Sequence, residues 1–121
     1  MRALLPVLLL VAAPASAQQA MTVADFLTRA DALEKRGVAA LFTADYRALR
    51  DEVKGAGLAL RADRAAAERA GRKPIACLPE GKVPVDRDEM LAYLRAIPPA
   101  QRGVTVRAAF NRLMARKYPC P

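Results

Sequence analysis

The side chains able to do chemistry are few and far apart. Cys77 and Cys120 are the only thiols, and Tyr46, Tyr93 and Tyr118 the only phenols. His and Trp are missing altogether, and the one Ser is Ser16. Without imidazole the chain cannot assemble a Ser-His-Asp or Cys-His nucleophile. It also loses the commonest ligand for zinc and related metals. Carboxylates, Lys/Arg, Tyr and Cys are all that remain, so the sequence reads as a non-enzyme with no cofactor and no metal site.

The charged clusters have plain structural readings. Asp86, Asp88 and Glu89 could be taken for a carboxylate trio, but they stand where a helix begins. There, capping and the helix dipole already give acids a role. The basic stretch from Leu60 to Lys73 (LRADRAAAERAGRK) has no aromatics between its charges on which bases could stack. Arg64 and Glu68, at i and i+4, fit a solvated helix face instead. Nucleic acid is therefore not an expected partner. Tyr and Arg are enriched at interface hot spots, which singles out Tyr93 and Arg95 as candidate contacts.

The elements that position these groups begin after a targeting segment. Met1-Arg2 is a short positive start, Leu4 to Ala13 an apolar run and Ala15-Ser16-Ala17 a small-x-small site. This is the pattern of a secretory signal peptide at 1–17, cleaved before Gln18. The run is too short for a membrane span, which needs roughly 20 apolar residues. No later segment is apolar for long enough to cross a bilayer. Residues 18–121 are thus expected to form one exported domain, destined for the periplasm or for release beyond it. Losing Arg2 takes one unit from the net charge of +8. The remaining positive charge favours acidic partners.

Export places the two cysteines in an oxidising compartment, where a single pair allows one intramolecular connectivity. Closing that loop is worth roughly 4 kcal/mol on the chain-entropy model. A redox or metal pair is the other reading, and no CxxC spacing and no His support it.

Helical periodicity dominates the rest. Thr22 caps a first helix over Val23–Arg36, with Val23, Phe26, Leu27, Ala30 and Leu33 on one face and Gly37 as the stop. Leu41-Phe42 forms a short apolar patch, at most a single turn. A long second helix runs from about Ala44 to Ala70 on a stripe of Tyr46, Leu49, Val53, Ala56, Leu60 and Ala67. The stripe misses a member at 63 or 64, so its C-terminal end is expected to project into solvent. Gly55 and Gly57 within it imply close packing or a kink.

Three prolines and Cys77 make residues 71–85 an ordered loop. Asp86 caps a third helix with Met90, Leu91, Leu94 and Ile97 inward, ended by Pro98-Pro99. Thr105 caps a fourth, lined by Val106, Ala109, Phe110, Leu113 and Met114. The predicted fold is all-α, with four main helices and one disulfide.

From about Val53 onwards the residues follow a recognisable order. A Gly-containing helix (GAGLALRAD) leads to Cys77-Leu78-Pro79-Glu80-Gly81 and then to an acidic-capped helix with Leu91-Ala92-Tyr93-Leu94. The break Ile97-Pro98-Pro99 precedes a last helix that closes on Pro119-Cys120. This resembles the Rap/Tai-type immunity proteins of type VI secretion. The resemblance implies a small exported helical protein that binds and blocks peptidoglycan amidase effectors in the periplasm. The expected partner is such a hydrolase with an acidic surface, with a second copy of the chain as the other candidate. The expected contact surface is the loop from Gly71 to Val85 with the exposed side of the third helix: Arg72, Lys73, Glu80, Lys82, Tyr93 and Arg95. The alternative is a non-catalytic envelope protein whose positive charge binds anionic polymer or membrane.

Overall fold

Each main helix starts on a residue whose side chain satisfies a free amide of the first turn. Thr22 Oγ1 accepts from the Asp25 amide at 3.1 Å, and Thr43 Oγ1 from the Tyr46 amide at 3.2 Å. Asp86 Oδ1 accepts from the Glu89 amide at 2.8 Å, and Thr105 Oγ1 from the Ala108 amide at 3.1 Å. The computed structural model of the chain describes residues 20–82 and 84–121. Within them lie α1 (Val23–Glu34), α2 (Ala44–Ala70), α3 (Arg87–Ala96) and α4 (Val106–Lys117), with 3-10 helices at Gly37–Phe42 and Pro99–Gln101. The fold is all-α with a Cys77–Cys120 disulfide, as the sequence predicts. The expected leader at 1–17 lies outside the described residues.

Helix ends follow the glycines. α1 stops at Glu34 rather than Arg36, and Gly37 turns the chain with a φ of 60°. The following residues tighten into a six-residue 3-10 helix, longer than the single turn expected at Leu41-Phe42. α2 ends on Gly71 at φ 68°, with its amide on Glu68 O and the Arg72 amide on Ala67 O. That left-handed residue satisfies the last carbonyls of the helix at no Cβ cost.

The buried faces match the periodicity. α1 contributes Val23, Phe26, Leu27, Ala30 and Leu33, and α4 contributes Val106, Ala109, Phe110, Leu113 and Met114. Leu49, Ala56, Leu60 and Ala67 come from α2, and Met90 and Leu94 from α3. Tyr46, Val53, Leu91 and Ile97, expected inside, are half-buried and pack on the rim of this core. Ala76, Leu78 and Val85 enter it from the loop.

α4 lies against α2 where the glycines fall. A Cβ at Gly57 would stand 3.9 Å from Phe110 Cζ, and one at Gly55 would stand 3.2 Å from Arg107 Nη2. The first is an ordinary contact and neither φ is positive, so glycine at 57 carries only its helix-propensity cost. Gly57→Ala is expected to raise stability by about 1 kcal/mol, read as a higher urea midpoint at unchanged slope. A lower midpoint would show that α4 sits closer to α2 than this spacing allows.

Two joints close the bundle. At the first, the N-termini of α1 and α4 meet in a single antiparallel bridge between Thr22 and Thr105. The Val23 amide donates to Val104 O at 2.9 Å, the Ala24 amide to Arg102 O at 3.0 Å and the Val106 amide to Met21 O at 2.9 Å. Each helix start thus satisfies amides that its own turn leaves free. At the second, the disulfide is joined by the Cys77 amide donating to Tyr118 O at 2.9 Å and by Tyr118 OH donating to Pro84 O at 2.7 Å.

The C-terminal half of α2 does not project into solvent. The loop after Gly71 folds back along it, and the charged residues that interrupt its apolar stripe hold the loop. Arg61 Nη2 donates to Pro79 O at 3.2 Å and Arg64 Nη1 to Leu78 O at 3.3 Å. Asp63 accepts from the Ile75 amide and from Arg72 Nη1, each at 3.3 Å. The missing stripe member is a pair of polar anchors for loop backbone.

Candidate functional site

Half of the six expected contact residues, Arg72, Tyr93 and Arg95, have internal partners. Arg95 Nη2 donates to Glu34 Oε1 at 2.6 Å and to Asp31 Oδ1 at 3.1 Å, tying α3 to α1. Donating to Glu34, and secondarily to Asp31, raises its pKa, against an opposing desolvation. Arg72 pairs with Asp63 and fixes the loop. Lys73, Glu80 and Lys82 are exposed. Tyr93 is half-buried, packs against the core and lies under the Arg116 guanidinium, 5.3 Å from its ring centroid. The predicted surface therefore divides: the loop presents Lys73, Glu80 and Lys82, while Arg72 and Arg95 are structural ties.

The acidic trio is likewise occupied. Asp86 is the cap of α3, Asp88 meets Arg87 at 3.1 Å, and Glu89 accepts from Lys117 Nζ at 2.6 Å. That last hydrogen bond raises the Lys117 pKa, with desolvation opposing it. A raised ammonium value means the tie is whole at neutral pH and is lost only as pH climbs through it in the alkaline range. Among the described residues no three His, Cys, Asp or Glu side chains come together as a metal site.

Tyr93 nevertheless leads to a recess. Between the C-terminal end of α3, the Pro98–Val104 connection and α4 runs an open groove of about 760 Å³. Tyr93, Ile97, Pro98 and Val104 supply its apolar walls, and Arg112 and Arg116 stand along one side. The connection is held by Arg102, whose guanidinium donates to Ile97 O at 2.8 Å and Arg95 O at 3.0 Å. These bonds satisfy carbonyls that the end of α3 leaves free. Arg112 and Arg116 are four residues apart, hence neighbours on one helix face. Neither forms an ion pair among the described residues.

Such a groove can accept a ligand that is apolar along its length and anionic at one or two points. Guanidinium is suited to carboxylate because its planar donors can bind both oxygens at once. Sequence reasoning singled out Tyr93 but missed Arg112 and Arg116. The available signal was their i, i+4 spacing on the polar face of α4. What the sequence did not show was that this face borders the end of α3. Set against protein-family models, curated proteins and solved structures, the chain matches none of them.

Proposed function

We propose that the chain is an exported, non-catalytic binding protein of the immunity or inhibitor type, which takes an acidic segment of a partner protein into the α3–α4 groove. The observation that carries this reading is the pair Arg112 and Arg116, without acidic partners among the described residues, beside the walls formed by Tyr93, Ile97, Pro98 and Val104. Burial against those walls supplies affinity, and the two guanidiniums select for carboxylate. The anchoring of the Pro98–Val104 connection by Arg102 means that little chain entropy is lost on docking. The disulfide suits an oxidising compartment such as the periplasm. The Rap/Tai resemblance makes a peptidoglycan amidase the expected class of partner, and the absence of His from the sequence argues against chemistry by this chain itself.

The test captures the chain with its partner from an envelope extract at high salt, then assays the bound protein on isolated peptidoglycan. The expected result is a hydrolase whose activity the chain suppresses. Replacing both arginines, Arg112→Ala/Arg116→Ala, should weaken that suppression at least about tenfold, since a hydrogen bond to a charged group is worth about 1.5 kcal/mol or more. Retention on purified envelope at high salt with no protein partner would overturn the proposal.

A further inference from the structure

The 3-10 helix Gly37–Phe42 turns only one of its side chains, Ala40, into the core. Val38 is 76% exposed, Phe42 80% and Leu41 46%. A 3-10 helix has three residues per turn, so Val38 and Leu41 lie on one edge and Phe42 follows beside it. Three large apolar side chains thus project from the turn between two helices, where a soluble surface has no use for them.

The charges around this tip are of one predominant sign. Lys35 and Arg36 precede it and Arg47 follows it; all three are exposed and form no ion pair among the described residues. The acids at the end of α1, Asp31 and Glu34, are engaged by Arg95. Asp45, exposed in the first turn of α2, is the single opposing charge close by in sequence. The tip is therefore an apolar projection in a basic collar.

We propose that this tip docks reversibly on an anionic lipid bilayer, with Val38, Leu41 and Phe42 entering the acyl boundary and Lys35, Arg36 and Arg47 meeting the headgroups. Projecting side chains on a short turn need a complementary pocket to dock on a protein, whereas a fluid bilayer accommodates them without one. A basic rim on an apolar face is the combination that adds headgroup attraction to burial. Three side chains and three cations give weak attachment, well short of an anchor. No helix among the described residues is long and apolar enough to cross the membrane. The site is separate from the α3–α4 groove and does not depend on it.

The experiment is co-sedimentation with phosphatidylglycerol-containing vesicles and with pure phosphatidylcholine vesicles. It uses the chain purified after export, with its N-terminus read by mass spectrometry. Every variant is prepared alike, so the first 17 residues, present or removed, are common to all. Binding should require the anionic lipid. Phe42→Ser should lower partitioning at least about tenfold, the lower end for withdrawing one large apolar side chain. Lys35→Glu/Arg36→Glu should lower it by a similar factor or more. Arg112→Ala/Arg116→Ala, which disables the groove, should change it by no more than about twofold at physiological salt.

Because the chain has no Trp, Phe42→Trp places a single indole at the tip, whose emission should shift to the blue on anionic vesicles. Four outcomes overturn the proposal: no partitioning, partitioning that Phe42→Ser leaves intact, an indole that stays in water, or a dimer that Phe42→Ser dissociates. The second would mark adsorption by overall charge, and the last would mark a tip that pairs two copies of the chain.

Discussion

Replacing both cysteines, Cys77→Ala/Cys120→Ala, lowers the free energy of unfolding by about 4 kcal/mol on the chain-entropy model. The bridged residues are 43 apart in sequence, so the cross-link removes a large closed loop from the freedom of the unfolded chain. A domain of this size has about 5–15 kcal/mol in total, which makes the bond a large share of it. The loss acts mainly on the unfolded state, because the native joint keeps the Cys77 amide on Tyr118 O and the Tyr118 hydroxyl on Pro84 O. Urea denaturation of the wild type with and without reductant, beside the double variant, checks this. The midpoint should fall and the slope rise, since the uncrosslinked chain exposes more surface on unfolding. Equal midpoints for the oxidised and reduced wild type would contradict the account.

The second large effect lies at the crossing of α2 and α4. Phe110 is fully buried, and its ring end lies in van der Waals reach of the position a Gly57 Cβ would take. Phe110→Ala removes most of a side chain around which α1, α2 and α4 are assembled. The expected cost is about 3–5 kcal/mol, the range for Phe-to-Ala changes in cores that relax only in part. Phe110→Leu keeps more of the volume and should cost less than about half as much. Thermal and urea unfolding of the two variants give the comparison. If they were equally stable, Phe110 would be contributing shape rather than filling space. The proximity of residue 57 adds a further expectation. In Phe110→Ala a methyl at 57 should add no more stability than it adds to the wild type, because the ring atom 3.9 Å from it is gone.

The features legible in the sequence are those set by neighbours along the chain. Thr22, Asp86 and Thr105 cap helices because a cap needs only the amide three residues on, and Gly37 and Gly71 stop them because left-handed backbone is a local property. The inward faces of α1 and α4 follow from helical period alone. The disulfide was legible because two cysteines allow one pairing.

What could not be read depends on residues brought together from a distance. Asp63 and Arg64 look like solvated charges, yet their partners include backbone groups of Ile75 and Leu78. A charged residue that anchors a loop and one that faces water have the same local pattern. Arg95 looked free for a partner because nothing near it in sequence shows that α1 presents Asp31 and Glu34 to it. Leu41-Phe42 read as apolar without revealing which side it would turn. Only the packing of the flanking helices shows that Ala40 takes the inward place and leaves Phe42 outside.

The two closures of the chain interleave, with Thr22 meeting Thr105 and Cys77 meeting Cys120. This gives two exposed cleavage points in the same loop opposite consequences. A protease cut after Lys82 falls between the sulfurs, so the nicked chain remains one covalent molecule until it is reduced. A cut after Arg72 falls before both sulfurs and leaves α1 and α2 attached to the rest only by non-covalent ties. These are packing, the Thr22–Thr105 joint, the hydrogen bonds of Arg61, Asp63 and Arg64 to the loop, and those of Arg95 to α1. Resistance to nicking therefore changes from durable to fragile within ten residues of one loop.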